Sequence, residues 1–166
     1  MVTLTQLNQL FRDEFVRQIG PVFEHSLWIA ETAWPKRPFR DVAHLHQALC
    51  DTVRTASEEK QLVLIRAHPD LVTCMKLTAE SQREQASAGL TALSSAEIAE
   101  FESLNKSYRE KFGFPFVICA RLNNKDTILG GFRTRVKSSR EAEIKTALEE
   151  IYKIAKLRLQ DLCPAN

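Results

Sequence analysis

The sequence predicts an all-α protein, a single-domain multi-helix bundle with one buried extended segment. Glycine and proline are scarce, at 5 and 6 of 166 residues, so the chain has few of the residues that build tight turns between strands. Helix start signals recur, and apolar residues follow them at spacings of three and four. A length of 166 residues fits one domain with its own core. We therefore expect one domain over residues 1–166.

Capping-box patterns, in which a Ser or Thr is followed three residues later by Glu or Gln, mark three helix starts. They begin at Thr3, Ser94 and Ser138. Gly113 can end the second of these helices, and Pro164 the third and longest. Apolar spacing and further caps predict additional helices over residues 26–34, about 41–56, 58–67 and 78–89.

The segment FGFPFVICAR at residues 112–121 breaks the helical pattern. It has no helical period, contains Pro115 and is too apolar for a surface loop, so we expect a buried extended stretch. Buried N–H and C=O groups need partners. Neighbouring side chains or water can provide them, and so can a ligand rich in amide or ureido groups; the residues alone favour neither. No second strand-like segment is present, which argues against a sheet.

Composition excludes several function classes. Lys and Arg number 23 against 21 Asp and Glu, so charge gives no argument for nucleic-acid binding. Apolar runs are too short to span a bilayer, and the ending LCPAN is not a peroxisomal signal, so we expect a cytoplasmic protein.

His44 and His46 cannot converge on one metal from a helix. The cysteines lack zinc-site spacing and are expected to be reduced: Cys50, Cys74, Cys119 and Cys163.

His68 is the first candidate functional residue. The stretch LVLIRAHPDL at residues 62–71 carries an apolar run up to it. A residue before proline is disfavoured in the α conformation, and Pro69 suits the first position of a new helix. We therefore expect His68 at a sharp junction between two helices. From these residues alone, a histidine bonded to backbone is the more common case, and a catalytic one is the alternative.

The sequence SQREQ at residues 81–85 is the second candidate. On a helix, Ser81, Glu84 and Gln85 share one face because they lie three and four positions apart. By itself such a face is more often simply solvated. Next to His68, it would form an acid–base and hydrogen-bonding site. Arg121, at the end of the extended segment, is suited to an anion or to solvent.

Five motifs in a fixed order then identify a resemblance. They are FEHSLWIAETAW followed by RPF, AHPDL at 67–71, SxxEQ at 81–85, FGFPFVICAR at 112–121, and EIYKIAKLRL at 150–159. Together they resemble the 2-oxo-4-hydroxy-4-carboxy-5-ureidoimidazoline (OHCU) decarboxylase family of uric acid degradation. The likeness covers roughly residues 5–162.

The resemblance implies a helical homodimer without a metal or organic cofactor, acting on a small ureidoimidazoline to give (S)-allantoin. It makes His68 the general acid, with Glu84 working beside it. The residues that it assigns to substrate binding come from all three segments: Pro69, Ser81, Gln85, Val117, Ile118, Cys119, Ala120 and Arg121.

The chemistry of OHCU explains why no cofactor is expected. Decarboxylation leaves an electron pair on carbon, which most decarboxylases stabilise with a cofactor. OHCU has a ring C=N next to the carboxylated carbon and accepts the pair itself. Two rival hypotheses remain: a cofactor-free hydrolase that opens a related ureide ring, which would release no CO₂, and a helical protein that binds a ureide without converting it.

Overall fold

The computed structural model describes residues 2–73 and 77–164. Within these ranges no residue forms a β-strand, so the predicted all-α class is confirmed. Cys74, predicted as a reduced thiol, lies outside the described residues. Nine α-helices occur in the described ranges: α1 Leu4–Gln9, α2 Arg12–Ile19, α3 Leu27–Ala33, α4 Val42–Arg54, α5 Glu58–Arg66, α6 Ala79–Ser87, α7 Ser95–Phe112, α8 Lys125–Arg135 and α9 Arg140–Leu162.

The chain divides into two compact units, Met1–Ala67 with Tyr152–Asn166, and His68–Ile151. We call them the terminal unit and the central unit. Helices α1 to α5 and the end of α9 belong to the terminal unit, whereas α6, α7, α8 and the start of α9 belong to the central unit. The single domain over residues 1–166 stays a prediction.

The sequence signals act where helices begin and end. Thr3 and Ser94 each accept a hydrogen bond from the backbone N–H three residues on, and Gln6 and Glu97 complete the two capping boxes. At α9 the start predicted at Ser138 is wrong by one residue, because the capping side chain is Ser139, which accepts from Ala142 N at 3.2 Å. Gly113 ends α7 in the left-handed conformation, at φ 78°. A residue with a Cβ would be strained there.

The terminal unit packs around the faces of α2, α3 and α4. Phe15 and Phe39 stack with ring centroids 6.1 Å apart. The side chain of Arg158 on α9 is 7% exposed and pairs with Glu24, which is 2% exposed, at 2.9 Å. A buried charge needs such a partner to offset its lost hydration. His46 on α4 is hydrogen-bonded through Nε2 to the Tyr152 carbonyl, at 2.8 Å.

An aromatic cluster forms the core of the central unit. Phe116 stacks on Phe132 of α8 with centroids 3.8 Å apart, and Tyr108 of α7 meets Phe116 edge-on at 5.3 Å. Residues 114–119 form no helix and are buried apart from the half-buried Ile118. The predicted buried segment without helix is therefore confirmed, with α7 and α8 packed against it. It is shorter than the predicted range 112–121, because α7 runs to Phe112 and a 3-10 turn begins at Ala120.

Helix α8 is an element that the sequence reasoning missed. Gly130 and Gly131 lie in its interior, and adjacent glycines weaken a helical prediction. A Cβ on Gly131 would lie 3.3 Å from Phe116 Cζ and 3.6 Å from Ile118 Cδ1. Glycine therefore allows α8 to approach the extended segment closely. None of the helices in the described part of the chain is long and apolar enough to cross a membrane.

Candidate active site

His68 follows α5 and is buried, with 6% of its surface exposed. The expected start of a new helix at Pro69 is wrong, because residues 69–73 contain no helix and α6 begins only at Ala79. Val72 explains the difference, since its φ of 55° lies in the left-handed region. That conformation cannot continue a right-handed helix and is rare for a β-branched residue. His68 therefore begins an irregular segment, which we call the HPDL segment, residues 68–72.

Helix α6 presents the predicted polar face. Thr78 caps it by accepting a hydrogen bond from Ser81 N at 3.2 Å. Ser81 and Gln85 are buried, Glu84 is half-buried, and the two intervening residues are exposed. The shared face predicted from spacings of three and four is confirmed.

The amide of Gln85 joins this face to the HPDL segment. Its Oε1 accepts a hydrogen bond from Val72 N at 3.0 Å, and its Nε2 is 3.5 Å from the Asp70 carbonyl oxygen. Because Gln85 is 6% exposed, these bonds form away from bulk water. HPDL and SxxEQ are separate motifs in the sequence, and this amide brings the two segments into contact in the fold.

Side chains hold the backbone of the extended segment. Arg135 Nη1 donates to the Val117 carbonyl at 2.7 Å, and Cys119 N donates to Glu150 at 2.8 Å. Asn123 Nδ2 donates to the Cys119 carbonyl at 3.0 Å. Of the partners considered for the buried backbone groups, neighbouring side chains are therefore the ones that bind these three. The segment is fixed before any ligand arrives.

A buried ionic network supports Arg135. Its Nε lies 3.0 Å from Glu143 Oε2, and the Tyr108 hydroxyl donates to the same oxygen. Burial, reinforced by Glu143, raises the pKa of Tyr108 well above its ordinary value. The phenol therefore stays protonated and serves as a donor. Arg135 also lies over the Phe116 ring, 4.3 Å from its centroid.

Sequence reasoning overlooked Glu143 and Glu150, and a signal for them exists. Both are buried, at 1% and 9% exposure, on the stripe of α9 that carries Ala147, Ile151 and Ile154. A carboxylate within an apolar helical stripe is costly unless it is paired. Such a residue marks a buried partner elsewhere in the chain, although it does not identify that partner.

The third predicted segment lies beside α6, which packs against the short 3-10 turn Ala120–Leu122. Val117, Cys119 and Ala120 are buried, and Arg121 is exposed. Helix α6 is thus in contact with the HPDL segment through Gln85 and with the end of the extended segment. The central unit brings all three predicted segments together around one helix.

The site offers hydroxyl, carboxylate, amide and imidazole groups. Across residues 2–73 and 77–164, no three His, Cys, Asp or Glu side chains are grouped so that they could hold a metal ion. Such a set is suited to proton transfer and to hydrogen bonding of a polar ligand.

Comparison with known proteins identifies the family that the chain resembles. The model of the OHCU decarboxylase family matches residues 8–160. The 2-oxo-4-hydroxy-4-carboxy-5-ureidoimidazoline decarboxylase of Halalkalicoccus jeotgali is 45% identical over 161 residues, covering 97% of this chain and 92% of that protein. The protein of the same name from Haloferax volcanii is 46% identical over 160 residues, covering 96% and 95%.

A solved structure gives the same result at the level of the fold. The crystal structure of an (S)-allantoin synthase superposes with a TM-score of 0.80 at 31% identity over 98% of this chain. This chain spans 54% of the length of that one. With a family model that matches residues 8–160 and relatives that are similar over nearly their whole length, the chain belongs to the OHCU decarboxylase family.

Proposed function

We propose that this protein is a cofactor-independent carboxy-lyase that converts OHCU to (S)-allantoin in uric acid degradation. Family membership supports the reaction, and one feature of the central unit supports the site. Gln85 joins the helix of SxxEQ to the HPDL segment with bonds of 3.0 and 3.5 Å, which places the segments of the proposed acid and its carboxylate neighbour side by side.

Substrate binding is assigned to polar groups around α6. The ureido and ring amides of OHCU both donate and accept hydrogen bonds, and hydroxyl, amide and backbone groups match them. The proposed binding residues are Pro69, Ser81, Gln85, Val117, Ile118, Cys119, Ala120 and Arg121. The bonds to Val117 O and Cys119 N hold the segment in place. They support binding by the rest of the segment, because a fixed backbone loses less entropy when a ligand binds.

The reaction needs little beyond orientation and proton transfer. The bond between the ring carbon and the carboxylate breaks, CO₂ leaves, and the electron pair moves towards the adjacent C=N. A proton then reaches the carbon that bears the ureido group, and the neighbouring carbinol becomes a carbonyl. One proton is consumed for each carboxylate lost, and its delivery to one face yields one enantiomer.

His68 is the proposed source of that proton. Its burial, with 6% exposed, keeps it from exchanging freely with bulk water. Glu84 is proposed to orient or polarise His68, and its half-buried position on the same face as Ser81 supports this. A positioned acid typically contributes roughly 10²–10⁴-fold in rate.

The test starts from urate that has been treated with urate oxidase and with the hydrolase that acts after it. Circular dichroism then monitors the formation of allantoin. Adding this protein should speed the appearance of optically active allantoin and release one CO₂ per turnover. A ring-opening hydrolase would release no CO₂. A ureide-binding protein without activity would leave OHCU to decay at its spontaneous rate, and either result would contradict the proposal.

We further propose that the protein is a cytoplasmic homodimer, as the family resemblance implies. Among the described residues, the cysteines at 50, 119 and 163 are buried and none of them forms a disulfide, which is compatible with a reducing compartment. Light scattering on the purified protein tests the dimer, and cell fractionation tests the location. A monomeric mass at working concentration would contradict the assembly without affecting the proposed reaction.

A further inference from the structure

Two side chains of α7 bind the part of the HPDL segment that follows His68. Arg109 Nε lies 2.9 Å from both carboxylate oxygens of Asp70. Asn105 Nδ2 donates to the Leu71 carbonyl at 2.8 Å. Both residues occupy one face of α7, because they are four positions apart. We call this pair, Asn105 and Arg109, the α7 brace.

The helix that carries the brace is itself firmly anchored. Phe101, Tyr108 and Phe112 of α7 are buried, at 0%, 0% and 2% exposure, and Tyr108 contacts the aromatic core at Phe114 and Phe116. A helix fixed along one face by large apolar side chains gives a rigid support. Groups projecting from it therefore hold their partners in a defined place.

The brace acts on backbone that would not hold its shape unaided. Val72 is β-branched and left-handed, at φ 55°, and such a residue persists only when its surroundings impose the conformation. Asn105 is 7% exposed, and its Oδ1 finds no hydrogen-bond partner within the described part of the chain. The bond from Nδ2 to the Leu71 carbonyl is buried, and breaking a buried hydrogen bond leaves both groups unsatisfied, which is costly.

His68 lies two residues before Asp70, and Pro69 between them restricts the backbone further. Holding Asp70 and Leu71 in place therefore also fixes the backbone position from which the side chain of His68 extends. Proton transfer is sensitive to such placement, since a misplacement of about 1 Å costs roughly 10²-fold in rate. The ion pair between Asp70 and Arg109 is more exposed to solvent than the buried His68, since 23% and 44% of the two side chains are exposed.

We propose that Arg109 and Asn105 are positioning residues of the reaction, acting through His68 by holding the HPDL segment. The inference rests on the proposed function, in which His68 is the general acid. Neither residue belongs to a motif that carried the family resemblance, and neither is assigned to the substrate. Their effect is on turnover and not on substrate affinity.

The experiment measures allantoin formation with Arg109→Gln and with Asn105→Ala, each in the native protein and in the His68→Asn protein. In the native background, kcat should fall by roughly 10- to 100-fold while KM changes little. In the His68→Asn background, the same changes should cause no further loss. High enzyme concentration in single-turnover assays keeps the slow variants measurable above spontaneous decay.

Arg133→Gln is the matched control. Arg133 also pairs with α7, through Glu100 at 3.0 Å, and its side chain is 65% exposed. The control removes one arginine ion pair from the same helix, so it should leave kcat unchanged. Circular dichroism is measured on every variant to check that it is folded.

Two results would overturn the α7 brace while leaving the proposed reaction intact. One is a folded Arg109→Gln protein with normal kcat while His68→Asn is strongly impaired. The other is an equal fold loss in both backgrounds, which would show that Arg109 acts independently of His68. If His68→Asn itself turned over normally, the proposed role of His68 and the brace would both fall.

Discussion

His68 and Glu84 are expected to act together. His68→Asn keeps polarity and similar size but cannot donate a proton in the same way, so kcat should fall by roughly 10²–10⁴-fold. Glu84→Gln keeps the shape and removes the charge. Because residues that act as a unit are not additive, the double variant should be little slower than the slower single one. The measurement is the rate of formation of optically active allantoin.

Ser81→Ala serves as the reference for that series. It removes one hydroxyl from the same buried face and should cost less, since one hydrogen bond contributes about 0.5–1.5 kcal/mol net. Near-normal turnover in a folded His68→Asn protein would contradict the catalytic assignment. Losses that simply multiplied in the double variant would contradict only the pairing of His68 with Glu84.

His46 links stability to pH in the terminal unit. Burial lowers its pKa from 6.5, although the bond to the Tyr152 carbonyl opposes that shift, and Lys156 and Arg54 lower it further. The unfolded chain therefore binds a proton at a higher pH than the folded protein. The stabilising contribution is complete above about pH 6.5 and is lost as the pH falls towards the folded pKa.

The measurement is urea unfolding between pH 7.5 and 5.5, values chosen to bracket the 6.5 reference. The native protein should lose more stability over this range than His46→Gln, which keeps a donor for the Tyr152 carbonyl but does not titrate. His44→Gln on the same helix is the matched substitution and is measured over the same range. An identical fall in all three proteins would show that His46 does not cause it.

At the scale of elements, the paired glycines of α8 offer a comparison between neighbours. A Cβ on Gly130 meets nothing within 4 Å, whereas one on Gly131 lies 3.3 Å from Phe116. Gly130→Ala should raise the free energy of unfolding by about 0.5–1 kcal/mol, the usual cost of glycine within a helix. Gly131→Ala gains the same helical preference but crowds the extended segment, and overpacking costs about 1–3 kcal/mol.

Urea unfolding should therefore place Gly131→Ala below Gly130→Ala by about 1–3 kcal/mol. Turnover should fall only in Gly131→Ala, because that change displaces Phe116 and Ile118 next to the proposed binding backbone. Equal stability and equal activity in the two variants would contradict the tight approach of α8 to the extended segment.

At the scale of the whole molecule, chelators should leave activity unchanged. The ring C=N of OHCU takes up the electron pair, so the proposed chemistry requires no Lewis acid. Turnover is measured after dialysis against EDTA and after adding back single divalent ions. Loss of activity that one ion restores would refute the cofactor-independent mechanism.

Local signals in the sequence account for much of this protein. Capping side chains and helical spacing predicted α1, α3 to α7 and α9, because each depends on residues within a few positions of one another. The polar face of α6 followed from spacing in the same way. Helix α8 was missed because its adjacent glycines weaken the helical pattern. The helix expected at Pro69 was wrong, because the backbone turns left-handed at Val72.

The sequence by itself determined the all-α class, the caps of several helices, the presence of a buried segment without helix, and the family, since these depend on local chemistry or on the order of motifs. Only the tertiary structure decided which side chains hold the site. Gln85 reaches back 15 residues to Asp70, Glu150 reaches 31 to Cys119, and Arg109 reaches 39 to Asp70. Such partners have no local pattern, because folding and not spacing brings them within hydrogen-bond distance.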